Sequence, residues 1–168
     1  MVAVRRFLFL QVLLIWQGGF LFYAAVVVPI GTAVLGSASV QGAITARVTD
    51  VLNTFGVAGL LLACLDLSLS RDSSRRRLAA RWWCWAVALS CQYLLFVFHH
   101  LLDAFMDANR LNVVIQPPFY PVHRAYLWTS TVQWFACVVL VGLTVAAWQA
   151  EDSSQRSGQR GESDRRPV

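Results

Sequence analysis

Four stretches of this sequence are each long and apolar enough to cross a lipid bilayer. They cover residues 4–30, 48–70, 82–102 and 126–150. A helix that spans a membrane needs about 20 consecutive, mainly apolar residues, and each stretch reaches or exceeds that length. The sequence therefore predicts an all-α fold, a bundle of four transmembrane helices that forms one membrane domain over residues 1–150.

The composition agrees with a chain that lies in lipid. Of its 168 residues, 57% are hydrophobic and 14% are charged, so the chain has more apolar surface than a soluble domain of this size can bury. All fourteen basic residues are arginines, and they lie mainly at predicted helix ends and in the C-terminal tail. This distribution indicates membrane orientation and not the binding of DNA or RNA. We therefore expect the lipid bilayer as a partner and no nucleic acid.

Arginine is concentrated on one side of the predicted topology. Eleven arginines precede the first span, separate the second from the third, or follow the fourth: Arg5, Arg6, Arg71, Arg75, Arg76, Arg77, Arg81, Arg156, Arg160, Arg165 and Arg166. Three remain for the other side: Arg47, Arg110 and Arg124. Cytoplasmic loops are enriched in basic residues. The bias predicts that both termini are cytoplasmic and that the protein is integral to the cytoplasmic membrane, inner or plasma.

The two ends of the chain each need an interpretation. Two arginines followed by apolar residues also begin a secretory signal, but residues 7–30 exceed the roughly 7 to 15 residues of a signal's apolar region. An uncleaved anchor is therefore predicted, with cleavage near residues 37–39 as the alternative. Residues 151–168 are charged, rich in serine and almost free of apolar residues. Such a composition is typical of a disordered segment, here a cytoplasmic tail.

Proline and glycine mark the expected breaks between the helices. Pro29 and Gly31 weaken the helical hydrogen-bond ladder, so we expect the first helix to kink or stop there. An external turn should follow over residues 36–42, and the second helix should begin near Gln41. After a proline-rich segment, the fourth helix should resume only beyond Pro121.

A group of polar residues is expected at the outer ends of the second, third and fourth helices. Its members are Asp50, Asn53, His99, His100, Asp103, His123 and Arg124. His99 and His100 precede Asp103 by four and three positions, so either imidazole can face that carboxylate along one side of a helix. Histidine titrates near neutral pH and binds metals. The three histidines, His99, His100 and His123, are therefore candidate ligands of copper, zinc or haem, or proton carriers. The alternative is that these residues face water and cap helix ends.

One acidic residue, Asp66, falls inside a predicted span. It lies one turn from the arginine-rich loop, where it either pairs with Arg71 or Arg75 or serves as a functional membrane acid. Of the two interpretations we prefer the ion pair.

The remaining polar and small residues of the spans are expected to pack helices together. Gln17, Gln92 and Gln133 should hydrogen-bond between helices, with a polar path as the alternative. Gly56, Gly59 and Ala63 form a stripe of small residues that suits close helix approach. The cysteines should pack as small apolar side chains; they are Cys64, Cys84, Cys91 and Cys137.

Two segments resemble a known family. Residues 16–35 read WQGGFLFYAAVVVPIGTAVL, and residues 119–133 read FYPVHRAYLWTSTVQ. They are similar to the two signature regions of the transmembrane-protein-205-like family of small four-helix membrane proteins. The matching residues are Gly18, Gly19, Phe22, Pro29, Phe119, His123, Arg124 and Gln133. The resemblance implies a four-span fold, and the family has no settled activity to carry over.

The sequence contains no motif for hydrolysis, nucleotide binding or dinucleotide binding. The functional prediction is therefore a non-enzymatic structural or interaction component of the membrane, without a cofactor, that packs with itself or with other membrane proteins. Two alternatives stay open. One is a haem- or copper-binding redox protein that uses the outer histidines, and the other is a small proton-coupled carrier that depends on Asp66 or Asp103.

Overall fold

A computed structural model describes residues 2–70, 72–107 and 116–163 of the chain. The elements are α1 (Val2–Phe22), a π-helical turn (Tyr23–Val27), α2 (Val28–Leu35), α3 (Ala38–Leu69), α4 (Arg75–Ala104) and α5 (Gln116–Ser163). Four helical segments are long and apolar enough to cross a membrane, judged by length and composition: Val2–Leu35, Ser39–Leu69, Arg75–Ala104 and Pro118–Ser154. The predicted all-α fold with four span-length helices is confirmed.

Of the kink or stop expected near Pro29, the stop is wrong, because the first span remains helical across Pro29 to Leu35. Proline lacks the N–H that would continue the helical ladder, and the π-helical turn at Tyr23–Val27 lies immediately before this interruption. The helix ends instead at Gly36, which adopts a φ of 61°, a left-handed conformation that glycine tolerates best. The Ser37 hydroxyl then accepts a hydrogen bond from the Val40 N–H at 3.4 Å. This cap starts α3 at Ala38, and the external turn is shorter than predicted.

The fourth helix, α5, extends beyond the predicted span at both ends. It begins at Gln116 and includes Pro121, whereas the sequence placed its start after that proline. Pro121 is the sixth residue of α5, so its missing N–H removes one intrahelical hydrogen bond without ending the helix. At the other end, α5 continues past Ala150 to Ser163. Residues 151–163 of the predicted disordered tail are thus helical here, and residues 164–168 lie outside the described chain.

The helices are longer than a bilayer is thick. With 32 residues, α3 measures about 48 Å, against a hydrocarbon core of about 30 Å. In a bilayer of this thickness, both ends of the bundle would extend towards the headgroups and water. We call the end that carries Arg5, Ser70 and Arg81 the arginine end, and the end that carries Gly36 and His99 the histidine end.

Close packing in the middle of the bundle depends on the predicted small residues. The buried core consists of Phe9, Leu13, Trp16, Leu60, Ala63, Ala88, Cys137, Leu140 and Trp148. A Cβ atom on Gly56 would lie 2.8 Å from Cζ2 of Trp16, closer than two carbon atoms can pack. Glycine at this position therefore lets α3 contact α1. The four cysteines are free thiols, and Cys137 lies in the core, as expected for apolar packing.

Candidate functional site

Asp66 is the centre of a buried ion-pair network at the arginine end. Its side chain is 1% exposed, and its Oδ2 accepts a hydrogen bond from Nη2 of Arg81 at 2.8 Å. Oδ1 lies 3.0 Å from Nε of Arg5. The indole Nε1 of Trp148 donates to the same carboxylate at 3.2 Å. Residues from α1, α4 and α5 thus meet one acid of α3.

The preferred interpretation of Asp66 as an ion-paired residue is confirmed, with Arg5 and Arg81 as its partners; no pair with Arg75 is found among the described residues, and the expected pair with Arg71 stays a prediction. The sequence pointed to Arg71 or Arg75, which are neighbours along the chain. Arg75 is exposed, and Arg71 lies outside the described residues. The actual partners reach Asp66 because the helices pack side by side, which places residues far apart in sequence at the same depth.

Arg81 connects Asp66 to the rest of the network. Its side chain is fully buried, Nη1 donates to Ser70 Oγ at 3.0 Å, and Nε donates to Thr144 Oγ1 at 3.2 Å. Nη1 also lies 3.7 Å from Oδ2 of Asp72. Every part of this guanidinium therefore faces an oxygen atom, which offsets the penalty of burying its charge.

Asp72 lies in the loop between α3 and α4, next to the network. Burial alone would raise the pKa of its carboxyl, but hydrogen bonds from the Arg77 guanidinium and the Ser74 N–H, with the positive charges of Arg77 and Arg81, lower the pKa below its ordinary value of 3.8. The shortest contact is 2.7 Å, from Arg77 Nη2 to Oδ1. The loop is thereby fixed in place by charge.

A second pair of acids completes the charge balance at this end. Arg6 contacts Glu151 at 2.8 Å and Asp152 at 2.9 Å, and its guanidinium lies 5.1 Å from the ring centre of Trp148. Four arginines of the two groups thus face four carboxylates: Arg5, Arg6, Arg77 and Arg81 against Asp66, Asp72, Glu151 and Asp152. The sum of these charges is zero, so the network is suited to holding helices together.

A hydrogen-bonded row of amides lies in the middle of the bundle. Gln133 donates to Oε1 of Gln92 at 3.0 Å and to the carbonyl of Ala88 at 3.1 Å, and Gln92 donates to Asn53 at 3.5 Å. The interhelical pairing predicted for Gln92 and Gln133 is confirmed. Gln17 is not in this row, and its buried Oε1 has no hydrogen-bond partner among the described residues.

An apolar layer separates the amides from the arginine end. Along α4, Gln92 and Arg81 are about 16 Å apart at the helical rise. Between these two depths lie Leu60, Ala63, Ala88, Cys137 and Leu140, all buried in the core. The polar atoms therefore form two separate groups rather than one row that crosses the bundle.

At the histidine end, His99 lies between two carboxylates. Its Nε2 is 2.6 Å from Oδ1 of Asp50 on α3 and 3.7 Å from Oδ2 of Asp103 on α4. These contacts are close in distance but not aligned as hydrogen bonds. The His99 side chain is 10% exposed, and its ring centre lies 6.4 Å from that of Tyr126 on α5. The structure thus brings together His99, Asp50 and Asp103, as the sequence suggested.

The other members of the predicted outer group have different surroundings. His100 and Arg124 are exposed. His123 is stacked on Phe119, with ring centres 5.8 Å apart, and Asn53 belongs to the amide row. Among the residues that the structure describes, no three His, Cys, Asp or Glu side chains are placed to hold one metal ion. A metal or haem site that uses these histidines stays a prediction, with His99 and His123 as the pair that faces a common space.

That common space is a partly open cavity of about 450 Å³ between all four helical segments. This volume falls within the range of small-molecule sites, roughly 300–1,000 Å³. Its lining is mostly apolar and includes Phe20, Leu52, Tyr126 and Leu127, with His99, Asp103 and His123 on one side. The cavity is the candidate site of this protein.

Three polar residues of the cavity were not singled out in the sequence. The hydroxyl oxygens of Tyr23 and Thr45 are 3.2 Å apart, and Gln41 Nε2 donates to them at 3.3 and 3.5 Å respectively. Gln41, Thr45 and Thr49 recur every fourth residue, which places them on one face of α3. That spacing was the available signal, but only the packing of α1 against α3 brings Tyr23 to it.

Comparisons with known proteins do not assign this chain to a family. No protein-family model matches the chain, and no curated protein or solved structure matches it.

Proposed function

We propose that this chain is a non-enzymatic integral component of the cytoplasmic membrane, inner or plasma, with both termini in the cytoplasm. It acts by packing against other membrane spans, including copies of itself. Four helices that are long and apolar enough to cross a membrane support this proposal. The resemblance to the transmembrane-protein-205-like family agrees with it.

The observation that carries the proposal is the uncovered apolar surface of the first span. Its most apolar 18-residue window has a mean hydropathy of 2.0, and none of that window is buried within the chain. Leu21, Phe22, Ile30 and Val34 are 53%, 61%, 57% and 78% exposed. Gly18 shares a face with Leu21 and Phe22, and a Cβ atom placed on it would meet nothing within 4 Å. Small residues on a lipid-facing side allow another helix to approach closely.

The use of charge inside the bundle supports a structural role. At the arginine end, Asp66 on α3 pairs with Arg5 on α1 and Arg81 on α4, and Arg6 on α1 pairs with Glu151 and Asp152 on α5. The pairs of Asp66 with Arg81 and Arg5 disfavour separation of the helices, because Asp66 or Arg81 alone would be a buried, uncompensated charge.

The proposed orientation in the membrane depends on arginines outside the ion-pair network. Arg75 and Arg76 are exposed at the start of α4, in the loop that the positive-inside rule assigns to the cytoplasm. Reporter fusions test the orientation: a fluorescent protein at either terminus should fluoresce, and a periplasmic phosphatase there should be inactive. Replacing Arg75 and Arg76 by Gln should increase the inverted fraction. An active phosphatase at the N- or C-terminus of the unaltered chain would refute the orientation.

Self-association is tested in vesicles by energy transfer between labelled copies at increasing lipid dilution. We expect specific transfer for the unaltered protein and a loss of transfer for Gly18→Leu, because the larger side chain keeps a second helix away. Gly142→Leu is the matched control, since Gly142 is also exposed with open space around its Cβ position. Transfer that is equal in both variants would refute packing through the first span, and no transfer at all would refute self-association.

A further inference from the structure

The cavity at the histidine end has the length of one membrane leaflet. Along α3 its lining runs from Gln41 to Leu52, which corresponds to about 16 Å at the helical rise. Half of a hydrocarbon core is about 15 Å. A molecule that stands in the outer half of the bundle, parallel to the helices, therefore fits the length of this space.

The lining differs between the two ends of the cavity. Its deepest residues on the first span, on α3 and on α5 are Phe20, Leu52 and Leu127, which present carbon atoms. On α4 the deepest residue is His99, which faces Asp50 and Asp103. Towards the histidine end the lining includes Gln41, Asp103 and His123. An occupant with an apolar body and one polar end matches this division.

The His99 imidazole at the cavity already lies between two carboxylates. His99 Nε2 lies 2.6 Å from Asp50 and 3.7 Å from Asp103, and both carboxylates make further interactions. A cationic or anionic head would have to compete with these contacts and lose its own hydration. The polar end of the occupant should therefore be uncharged.

Gln41, Tyr23 and Thr45 offer hydrogen bonds to such an uncharged head. Thr45 Oγ1 donates to the Gln41 carbonyl at 2.9 Å and therefore accepts from the Tyr23 hydroxyl at 3.2 Å. Gln41 Nε2 donates only at 3.3 and 3.5 Å, distances at the long end for N–H···O bonds. A hydroxyl or carbonyl oxygen can replace these long contacts with shorter ones.

From these observations we infer that the cavity binds a neutral amphiphile from the leaflet at the histidine end, with an apolar body about one leaflet long and a hydroxyl or carbonyl oxygen at its head. This inference goes beyond the proposed function, since it assigns a ligand class to a site that packing with other spans does not use.

The test uses a twelve-carbon alcohol that carries a photoreactive diazirine, with the full-length protein in lipid nanodiscs. We expect covalent labelling at Phe20, Leu52 or Tyr126, identified by mass spectrometry and suppressed by excess unlabelled alcohol. Equal labelling at Val34, which is 78% exposed, and no suppression would show nonspecific contact with lipid-facing surface and overturn the inference.

A matched pair of glycine substitutions separates the cavity from the rest of the surface. Gly42 lines the cavity, and its Cβ position has open space around it. Gly42→Leu therefore places an isobutyl group in the cavity without a clash, and leucine favours the helix more than glycine does. Labelling should fall by on the order of tenfold, because the apolar body loses buried contact area. Gly142→Leu is the control and should label like the unaltered protein. A Gly42→Leu protein that remains folded and labels at full strength would refute the site.

The charge of the head is tested with two further probes of the same chain length. The corresponding carboxylate and amine should label the cavity several-fold less than the alcohol, since their heads need counter-charges. Gln41→Leu should reduce labelling by the alcohol. Equal or stronger labelling by either charged probe would overturn the assignment of a neutral head, even if the cavity is occupied.

Discussion

Replacing the buried acid Asp66 should unfold the arginine end of the bundle more readily than any surface change there. Its side chain is 1% exposed, that of Arg81 is fully buried, and that of Arg5 is 14% exposed. Asp66→Asn keeps the size of the side chain and a hydrogen-bonding oxygen for Trp148, but it leaves two guanidinium groups without their shared counter-charge. Removing one partner of a buried pair typically reduces the free energy of unfolding by about 3–5 kcal/mol. We expect a loss in that range.

The assay follows unfolding in mixed micelles as the fraction of denaturing detergent rises, with a thiol-reactive dye that reports the exposure of Cys91 and Cys137, both buried. Asp152→Asn is the matched control, since it removes the same charge from a side chain that is 47% exposed. Exposed pairs contribute about 0–1 kcal/mol, so this variant should unfold almost like the unaltered protein. If Asp66→Asn loses no more stability than Asp152→Asn, the network does not hold the helices together.

A double substitution tests whether the loss comes from an uncompensated charge. Asp66→Leu combined with Arg81→Met removes the acid and its fully buried partner. Arg5 is close to the end of α1, where a long side chain can extend towards water. The double variant should therefore be more stable than Asp66→Leu alone, since well-packed apolar residues often replace buried ion pairs without loss. A double variant that is less stable than either single variant would contradict this explanation.

Three other predictions concern packing, pH and cofactors. Gly56→Ala should reduce the free energy of unfolding by about 1–3 kcal/mol, because the added methyl group overpacks against Trp16. Gly142→Ala should raise the free energy of unfolding by up to about 1 kcal/mol, because alanine favours a helix more than glycine does. Equal effects of the two variants in the detergent titration would refute the close approach of α3 to α1 at Gly56. The pKa of Asp72 is lower in the folded protein than its ordinary 3.8, so its stabilising effect should be complete above about pH 3.8 and disappear as the pH falls through the folded-state pKa. Asp72→Asn should remove that acid-dependent part of an unfolding profile, and an unchanged profile would contradict the pairing. Purified protein should be colourless and free of stoichiometric copper; a Soret band, or one copper per chain that His99→Ala removes, would instead establish the redox alternative.

The sequence alone was sufficient to predict an all-α fold and its four span-length helices. Hydrophobicity over about 20 residues depends only on local composition, so each span could be recognised without knowledge of its neighbours. The spacing of polar residues along one helix was equally local. It correctly placed His99 near Asp103, and the small residue Gly56 on a packing face.

The boundaries of the helices were less predictable, because they depend on backbone geometry that several residues share. Pro29 indicates a break, yet the π-helical turn before it accommodates the proline and the helix continues to Leu35. Pro121 likewise indicated a start that the helix had already passed. Composition assigned Glu151 to the C-terminal tail, but this residue forms an ion pair with Arg6 on α1 and so belongs to the bundle.

The tertiary structure alone decided which side chains meet between helices. The rotation of each helix about its axis, and its shift along that axis, are set by packing of all four segments together. These two quantities place Arg5 and Arg81 on Asp66, and Tyr23 beside Thr45 at the cavity. The residue pattern of a single helix does not determine its rotation or its axial shift. The ion-pair network and the cavity therefore form only when the helices pack together.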